Sequence, residues 1–398
     1  PAWGVVAGTV DHVRLDGASA HLVRGTGEVL DVADVAVERG VRIASAELPG
    51  RSGGPSWRLG FVPAPGALGH RRGRFATLFV LRRCTASCVM CHVQEFYRGG
   101  DMPASRLYAL VEELRVLGYD RVDFFGGEPT LRLDLPEVVR FTAGLGCRVE
   151  VVTNGMTLDA ALAARLRDAG VALAMVSLDG PDAASHDAIR GVPGGWERAV
   201  RGVRALVDAS RAGGGTMDVN LDTVVLRSNY LRMGEVVELA RALGCTRLNL
   251  FLCVTAPLLA HQPMWLTEDE ARGLFSEVLP RARARADALG IELSVSPRPP
   301  EGDDAAMGAF TERVARGVYN PLYVQRERCV GPLEEVFVTL AGDVFLCTSP
   351  SMLESENGLG NAFVMPLSEV IGGGRHLAFC ERAGVAEACR MCWRARPA

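Results

Sequence analysis

Three cysteines, Cys84, Cys88 and Cys91, stand in a C-x₃-C-x₂-C spacing directly after the apolar run Ala76-Thr-Leu-Phe-Val-Leu81. That run has the composition of a strand, so the cysteines lie on a loop at a strand end. Three thiolates so close together can hold three irons of a [4Fe–4S] cube and leave the fourth iron open to another ligand. A second group follows near the C-terminus: Cys329, twelve residues, Gly342, four residues, Cys347, then Cys380 and Cys389-Arg-Met-Cys392. Two other uses of these cysteines compete with iron. C-x₂-C pairs commonly hold zinc, whereas a disulfide framework belongs to short secreted chains and fits a 398-residue chain with metal-ligand spacings poorly.

The elements that would position these groups can be read from the apolar patterning. From Phe75 onward strands and helices alternate: strands at 76–81, 122–125, 148–152, 172–176, 218–225 and 247–253, with helices at 104–117, 135–145, 158–169, 196–209 and 234–243 between them. Six strands alternating with helices imply an α/β fold with a parallel sheet and right-handed crossovers. Thr267 and Glu270 form a capping box that starts a further helix towards Leu289. Pro297-Arg-Pro-Pro-Glu-Gly-Asp-Asp304 reads as a surface loop, and Val336–Leu340 and Val344–Leu346 as a hairpin around Ala-Gly-Asp. Residues 1–72 carry short alternating apolar runs separated by glycines and no cysteine, which reads as a small β-rich accessory domain. Its boundary falls in the Pro/Gly-rich stretch 61–69. The division expected is therefore 1–72, 73–296 and 297–398.

Composition excludes several classes. Lys+Arg 43 against Asp+Glu 47 gives a net charge of −4, with no basic stripe interleaved with aromatics, so nucleic acid is not an expected partner. The short basic patch at 70–74 reads as solvated linker. No apolar run reaches the length of a membrane span and no signal peptide is visible, so a cytoplasmic protein that does not engage a membrane is expected.

Between the two cysteine groups lie Arg121-Val-Asp-Phe-Phe-Gly126-Gly127-Glu128-Pro129, Val149-Glu-Val-Val-Thr-Asn154-Gly155 and Ala174-Met-Val-Ser177-Leu-Asp179-Gly-Pro, each an apolar run ending in small or polar residues. With the C-x₃-C-x₂-C loop, this order resembles the radical S-adenosylmethionine (SAM) superfamily, whose second strand ends in GGEP. The resemblance covers about residues 75–398. It implies a partial (βα)₆ barrel, a [4Fe–4S] cluster on Cys84, Cys88 and Cys91, and SAM bound at the open iron. Cleavage of SAM would then give a 5′-deoxyadenosyl radical that takes a hydrogen atom from substrate. It also implies that Gly126, Gly127, Glu128, Asn154 and Ser177 contact SAM and that Arg190, in His186-Asp-Ala-Ile-Arg190-Gly, pairs with the SAM carboxylate; a bidentate guanidinium suits that task. The position before Cys91, often aromatic in the family, is Met90 here, and methionine can pack against adenine or the cluster.

The C-terminal group resembles the twitch form of the SPASM extension, in which Cys329, Cys347, Cys389 and Cys392 would fully ligate a second [4Fe–4S] cluster acting as an electron relay, with Cys380 as the substitute ligand. An electron donor such as flavodoxin or ferredoxin is the partner implied. Cys147 and Cys245 read as core thiols. Cys253, at the C-terminal end of the sixth strand where α/β active sites gather, is the candidate hydrogen-atom donor, against a packed thiol. The expected activity is a radical SAM oxidoreductase of natural-product biosynthesis acting on a small sugar or aminocyclitol; peptide cross-linking, epimerisation through Cys253 and a non-enzymatic zinc or iron–sulfur protein are the alternatives. The β-rich N-terminal region, unlike a winged-helix leader-binding domain, favours the small substrate over a peptide.

Overall fold

The computed structural model describes residues 74–91, 100–253, 264–300, 304–316, 318, 329, 331–347, 357–385 and 389, and, as backbone only, six N-terminal strands. These six are β1 (His12–Asp16), β2 (Ser19–Val23), β3 (Val29–Val32), β4 (Val35–Glu38), β5 (Val41–Ala46) and β6 (Trp57–Phe61). They pair antiparallel as two three-stranded sheets, β1-β2-β3 and β4-β5-β6. The β-rich reading of this region agrees with that pairing.

The core is one sheet. Strands β7 (Arg74–Phe79), β8 (Tyr119–Phe125), β9 (Arg148–Thr153), β10 (Val171–Ser177), β11 (Asp218–Val225), β12 (Arg247–Leu252) and β13 (Glu292–Ser296) run parallel in sequence order. Each crossover carries a helix, and the helix-facing residues, such as Leu78, Val122, Phe124, Val149, Leu221 and Leu248, are wholly or almost wholly buried. The other face holds the polar positions. This is the partial barrel of the α/β reading, with one strand more than the six read from the sequence. Strand β13 has no apolar signature, because Glu292-Leu-Ser-Val-Ser296 is short and polar and abuts a proline-rich loop; its pairing with β12 rests on backbone register and on polar contacts, Ser294 with Asn249 and Glu292 with Arg247, which composition does not reveal.

At the opposite edge, β14 (Glu335–Val338) pairs parallel with β7, and β15 (Asp343–Phe345) and β16 (Gly360–Asn361) continue antiparallel. The C-terminal hairpin thus extends the core sheet. Its turn needs Gly342, at φ 89°, where a Cβ would meet the Phe363 ring at 2.6 Å. Thr267 and Glu270 form the expected capping box, but the helix that follows is interrupted: Glu268–Gly273 passes through a π turn at Leu274–Val278 before Leu279–Leu289. Pro280 lacks the N–H that a regular turn would use, and the wider turn lies just ahead of it. Helix Ala183–Arg190, absent from the sequence reading, is capped by the Asp182 side chain at one end and by left-handed Gly191 at the other.

Candidate active site

The three-cysteine loop leaves β7, passes over the ends of β8 and β9 and lies against the end of helix Ala183–Arg190. Its path is set by direct backbone contact. Gly127 N–H donates to Leu81 O at 2.8 Å and Glu128 N–H to Arg83 O at 2.8 Å. A Cβ on Gly127 would lie 2.2 Å from Arg83 O, and one on Gly126, at φ 149°, 2.6 Å from Leu81 O. The paired glycines are thus required by the protein's own loop, before any ligand is considered. Arg132, a residue the motif reading passed over, braces the same place, donating to Val80 O at 3.0 Å and Met102 O at 2.7 Å while paired with Asp134.

Glu128 is fully buried, and both its oxygens are engaged inside the protein. One accepts from Thr130 N–H at 3.1 Å and from the hydroxyls of Thr130 and Thr153, the latter at 2.6 Å; the other accepts from Asn154 N–H at 2.6 Å. Burial pushes its carboxyl pKa up, and these bonds oppose the shift. Thr153 is the polar residue that closes the apolar strand β9, a signal present in the sequence, whereas Thr130 lies in the single turn Pro129–Leu131 after β8 and carries no such signal. Asn154, also buried, donates from Nδ2 to Thr85 Oγ1 at 2.9 Å and reaches Cys84 Sγ at 3.7 Å, while its Oδ1 accepts Met156 N–H. Ser177, at the end of β10, is half-buried beside Asp222 in register, and its hydroxyl makes no hydrogen bond to the other described residues.

Arg190 is buried. Its Nε lies 2.7 Å from Asp179 Oδ2, an ion pair whose N–H is not aligned on the oxygen, and its Nη1 lies 3.5 Å from Cys88 Sγ. The structure therefore brings Gly126, Gly127, Glu128, Asn154 and Arg190 against the loop of Cys84, Cys88 and Cys91. Cys84 and Cys88 are half-buried and Cys91 is exposed. Donors converge on two of the sulfurs: Ala86 N–H and Asn154 Nδ2 on Cys84, Arg190 Nη1 on Cys88. Soft thiolates with N–H donors around them suit an iron–sulfur cluster. Among the described residues, no three Cys, His, Asp or Glu side chains are gathered tightly enough for one metal ion.

His186 is buried beside Asp179, and its Nδ1 accepts the Asp179 N–H at 3.1 Å, so the ring is neutral with its proton on Nε2. Burial lowers its pKa to about 4, with Asp179, Asp187 and Glu197 opposing and Arg190 assisting. A histidine held neutral contributes stability that is complete above about pH 6.5 and is lost as pH falls towards 4. Apoprotein stability should drop by about 2 kcal/mol between pH 7 and 5 from this group. Urea unfolding at the two pH values should show that drop in the wild type and a smaller one in His186→Asn.

Cys253 follows β12 and is buried in a small apolar cluster with Ile189, Leu226 and Met264, packed by Met90, Val224 and Trp265. Met90 thus joins the loop to this cluster. Burial pushes the Cys253 thiol up to about 12. Cys147 and Cys245 are buried in the main core, as read.

In the C-terminal group, Cys329 N–H donates to Ala383 O at 2.9 Å, Gly331 N–H approaches Cys329 Sγ at 3.3 Å and Gly384 N–H approaches Cys389 Sγ at 3.3 Å. One turn therefore ties Cys329 to Cys389, with amides directed at both sulfurs. Cys347 ends the stretch after β15. Cys380 lies on helix Gly374–Arg382, its thiol pushed up to about 12 by burial and by nearby Cys329. Cys392 lies outside the described residues.

A parallel partial barrel with a three-cysteine loop at the mouth of its first strand defines the class, and residues 78–220 match the model of the radical SAM superfamily. It is 30% identical over 220 residues to an AdoMet-dependent heme synthase of Oleidesulfovibrio alaskensis, covering 53% of this chain and 55% of that protein. It is also 30% identical over 174 residues to a PqqA peptide cyclase of Rhodopseudomonas palustris, covering 43% and 45%. The chain thus spans about half the length of the curated relatives it matches. In fold it matches Streptococcus suis SuiB in its crystal structure with precursor peptide SuiA, at TM-score 0.59 and 14% identity over 81% of this chain and 72% of that one. Among the described residues no helix is long and apolar enough to cross a membrane.

Proposed function

We propose that this chain is a radical SAM oxidoreductase that removes a hydrogen atom from carbon in its substrate. The observation that carries the reading is the convergence of the three-cysteine loop, the Gly126-Gly127 strand end and the donors of Asn154 and Arg190 at the mouth of one parallel barrel. Cys84, Cys88 and Cys91 would hold a [4Fe–4S] cluster, which would supply one-electron reduction of SAM, and Cys329, Cys347, Cys389 and Cys392 would hold a second, which would supply an electron acceptor for the oxidised substrate. The chain's own residues fix the loop, through Gly127 and Glu128, and leave the Ser177 hydroxyl open at the strand ends for SAM.

The proposed substrate is a small sugar or aminocyclitol, and the support is the strand-rich region before the barrel. A peptide is the second reading, favoured by the relative named a PqqA peptide cyclase. Incubating the reduced enzyme with SAM and each substrate class, and following 5′-deoxyadenosine and product mass, separates them: loss of two hydrogens from a small polyol supports the first, and a cross-linked peptide overturns it. We also propose the three-part division 1–72, 73–296 and 297–398.

Epimerisation is tested at Cys253. Its raised pKa keeps a neutral S–H, the form that can donate a hydrogen atom, but its surroundings are those of a packed thiol. Cys253→Ala should therefore leave SAM turnover and solvent-deuterium incorporation unchanged. Deuterium in the product that vanishes with Cys253 would establish epimerisation instead.

A further inference from the structure

Two backbone bridges fasten the three-cysteine loop to the end of helix Ala183–Arg190: Ser87 N–H donates to Arg190 O at 3.0 Å and Val89 N–H to Ile189 O at 2.9 Å. Gly191 makes this approach possible. It sits at φ 66°, and a Cβ there would lie 2.5 Å from Ser87 O. Cys88 is bracketed by the two bridges, so its position is tied to the helix end.

The Arg190 side chain acts at the same point. Its Nη1 reaches Cys88 Sγ while its Nε is paired with Asp179, whose side chain is completely buried. Asp179 is itself fixed on three sides. Its Oδ1 accepts Val224 N–H at 2.8 Å, its N–H donates to His186 Nδ1 at 3.1 Å, and its carbonyl accepts from Asn229 Nδ2 at 2.8 Å. Turning Arg190 away from Cys88 would leave a buried carboxylate without its cation, an arrangement proteins avoid. The guanidinium is thus a fixed, desolvated positive charge with an N–H directed at one cluster-ligand sulfur.

We propose that Arg190 is a positioning residue of the radical-generating centre, which holds Cys88 in ligating position and raises the potential at which the cluster on that loop accepts an electron. The physical basis is general: hydrogen bonds to ligating sulfurs and nearby positive charge stabilise the more negative, reduced cluster. Asp179 sets the geometry of this charge. This inference rests on the proposed cluster at Cys84, Cys88 and Cys91, and it differs from a SAM-carboxylate role for Arg190 because it acts without SAM.

The test is a redox titration of the full reconstituted chain without SAM, monitored by electron paramagnetic resonance, for wild type, Arg190→Lys and Arg190→Gln, with iron counted in each. Arg190→Gln is expected to keep its iron and to lower the reduced-to-oxidised ratio of the three-cysteine cluster at least tenfold at a fixed potential, about 59 mV for one electron. Arg190→Lys should fall between, and the second cluster's signal should not move. An unchanged potential in Arg190→Gln at full iron, with only weaker SAM binding, overturns the inference. Should Arg190→Gln lose that cluster while its apoprotein melts like wild type, the anchoring role is upheld. In that case a wild-type potential in Arg190→Lys overturns the tuning role. Wild-type protein that binds no iron would overturn the site reading itself, and this inference with it.

Discussion

Replacing Cys84, Cys88 and Cys91 together with alanine should lower the iron of the anaerobically reconstituted chain from about eight to about four per molecule and abolish SAM cleavage. The three sulfurs sit on one loop held by backbone bonds from β8 and from helix Ala183–Arg190, so their removal deletes one site without disturbing the packing that holds the other group. The C-terminal cysteines have their own support, the Ala383–Gly384 turn and the Gly331 amide. Retention of about four irons with SAM cleavage lost would establish two independent clusters of different roles. Loss of all iron would mean that the two groups depend on one another. Copurifying zinc with no iron would remove the radical reading altogether.

The second large effect is expected at Glu128. Its carboxylate accepts backbone N–H groups of Thr130 and Asn154 and two threonine hydroxyls, in a site with no water exposure. Glu128→Gln turns one acceptor into a donor, facing at least one backbone N–H in either orientation. Stranding a buried polar group costs about 1–3 kcal/mol, so a loss of about 2 kcal/mol is expected, or roughly 4–8 °C in Tm. Glu128→Ala strands both amides and should cost about 4 kcal/mol, or roughly 8–16 °C. Thermal melts of the apoprotein read this directly. A Glu128→Gln apoprotein as stable as wild type, with SAM binding lost, would instead favour the direct SAM contact that the family resemblance implies.

The contrast between those two outcomes shows what the motif series could convey. Gly126-Gly127-Glu128, Asn154, Ser177 and the cysteine spacing are legible in the chain because each closes a periodic apolar run, and periodicity is carried by local sequence. The parallel alternation from β7 to β12 was legible for the same reason. Strand β13 was not, since its pairing with β12 depends on backbone register rather than on apolar content. Helix Ala183–Arg190 is short, and its caps, Asp182 and Gly191, are common in loops too.

Local pattern carries the chemistry on offer: thiolates at cluster spacing, glycines at strand ends and an alternating fold that gathers strand ends at one face. How the polar side chains are used follows from packing across the fold. Glu128, which the motif would direct towards SAM, spends both oxygens on Thr130, Thr153 and Asn154, and Arg190, expected at the SAM carboxylate, is paired with Asp179 and Cys88. The reason is physical. A charge or carboxylate taken out of water must find its partners within the fold; Thr130 is two residues from Glu128, but Thr153 is 25 residues from it and Cys88 is 102 from Arg190, and no local pattern names partners that distant.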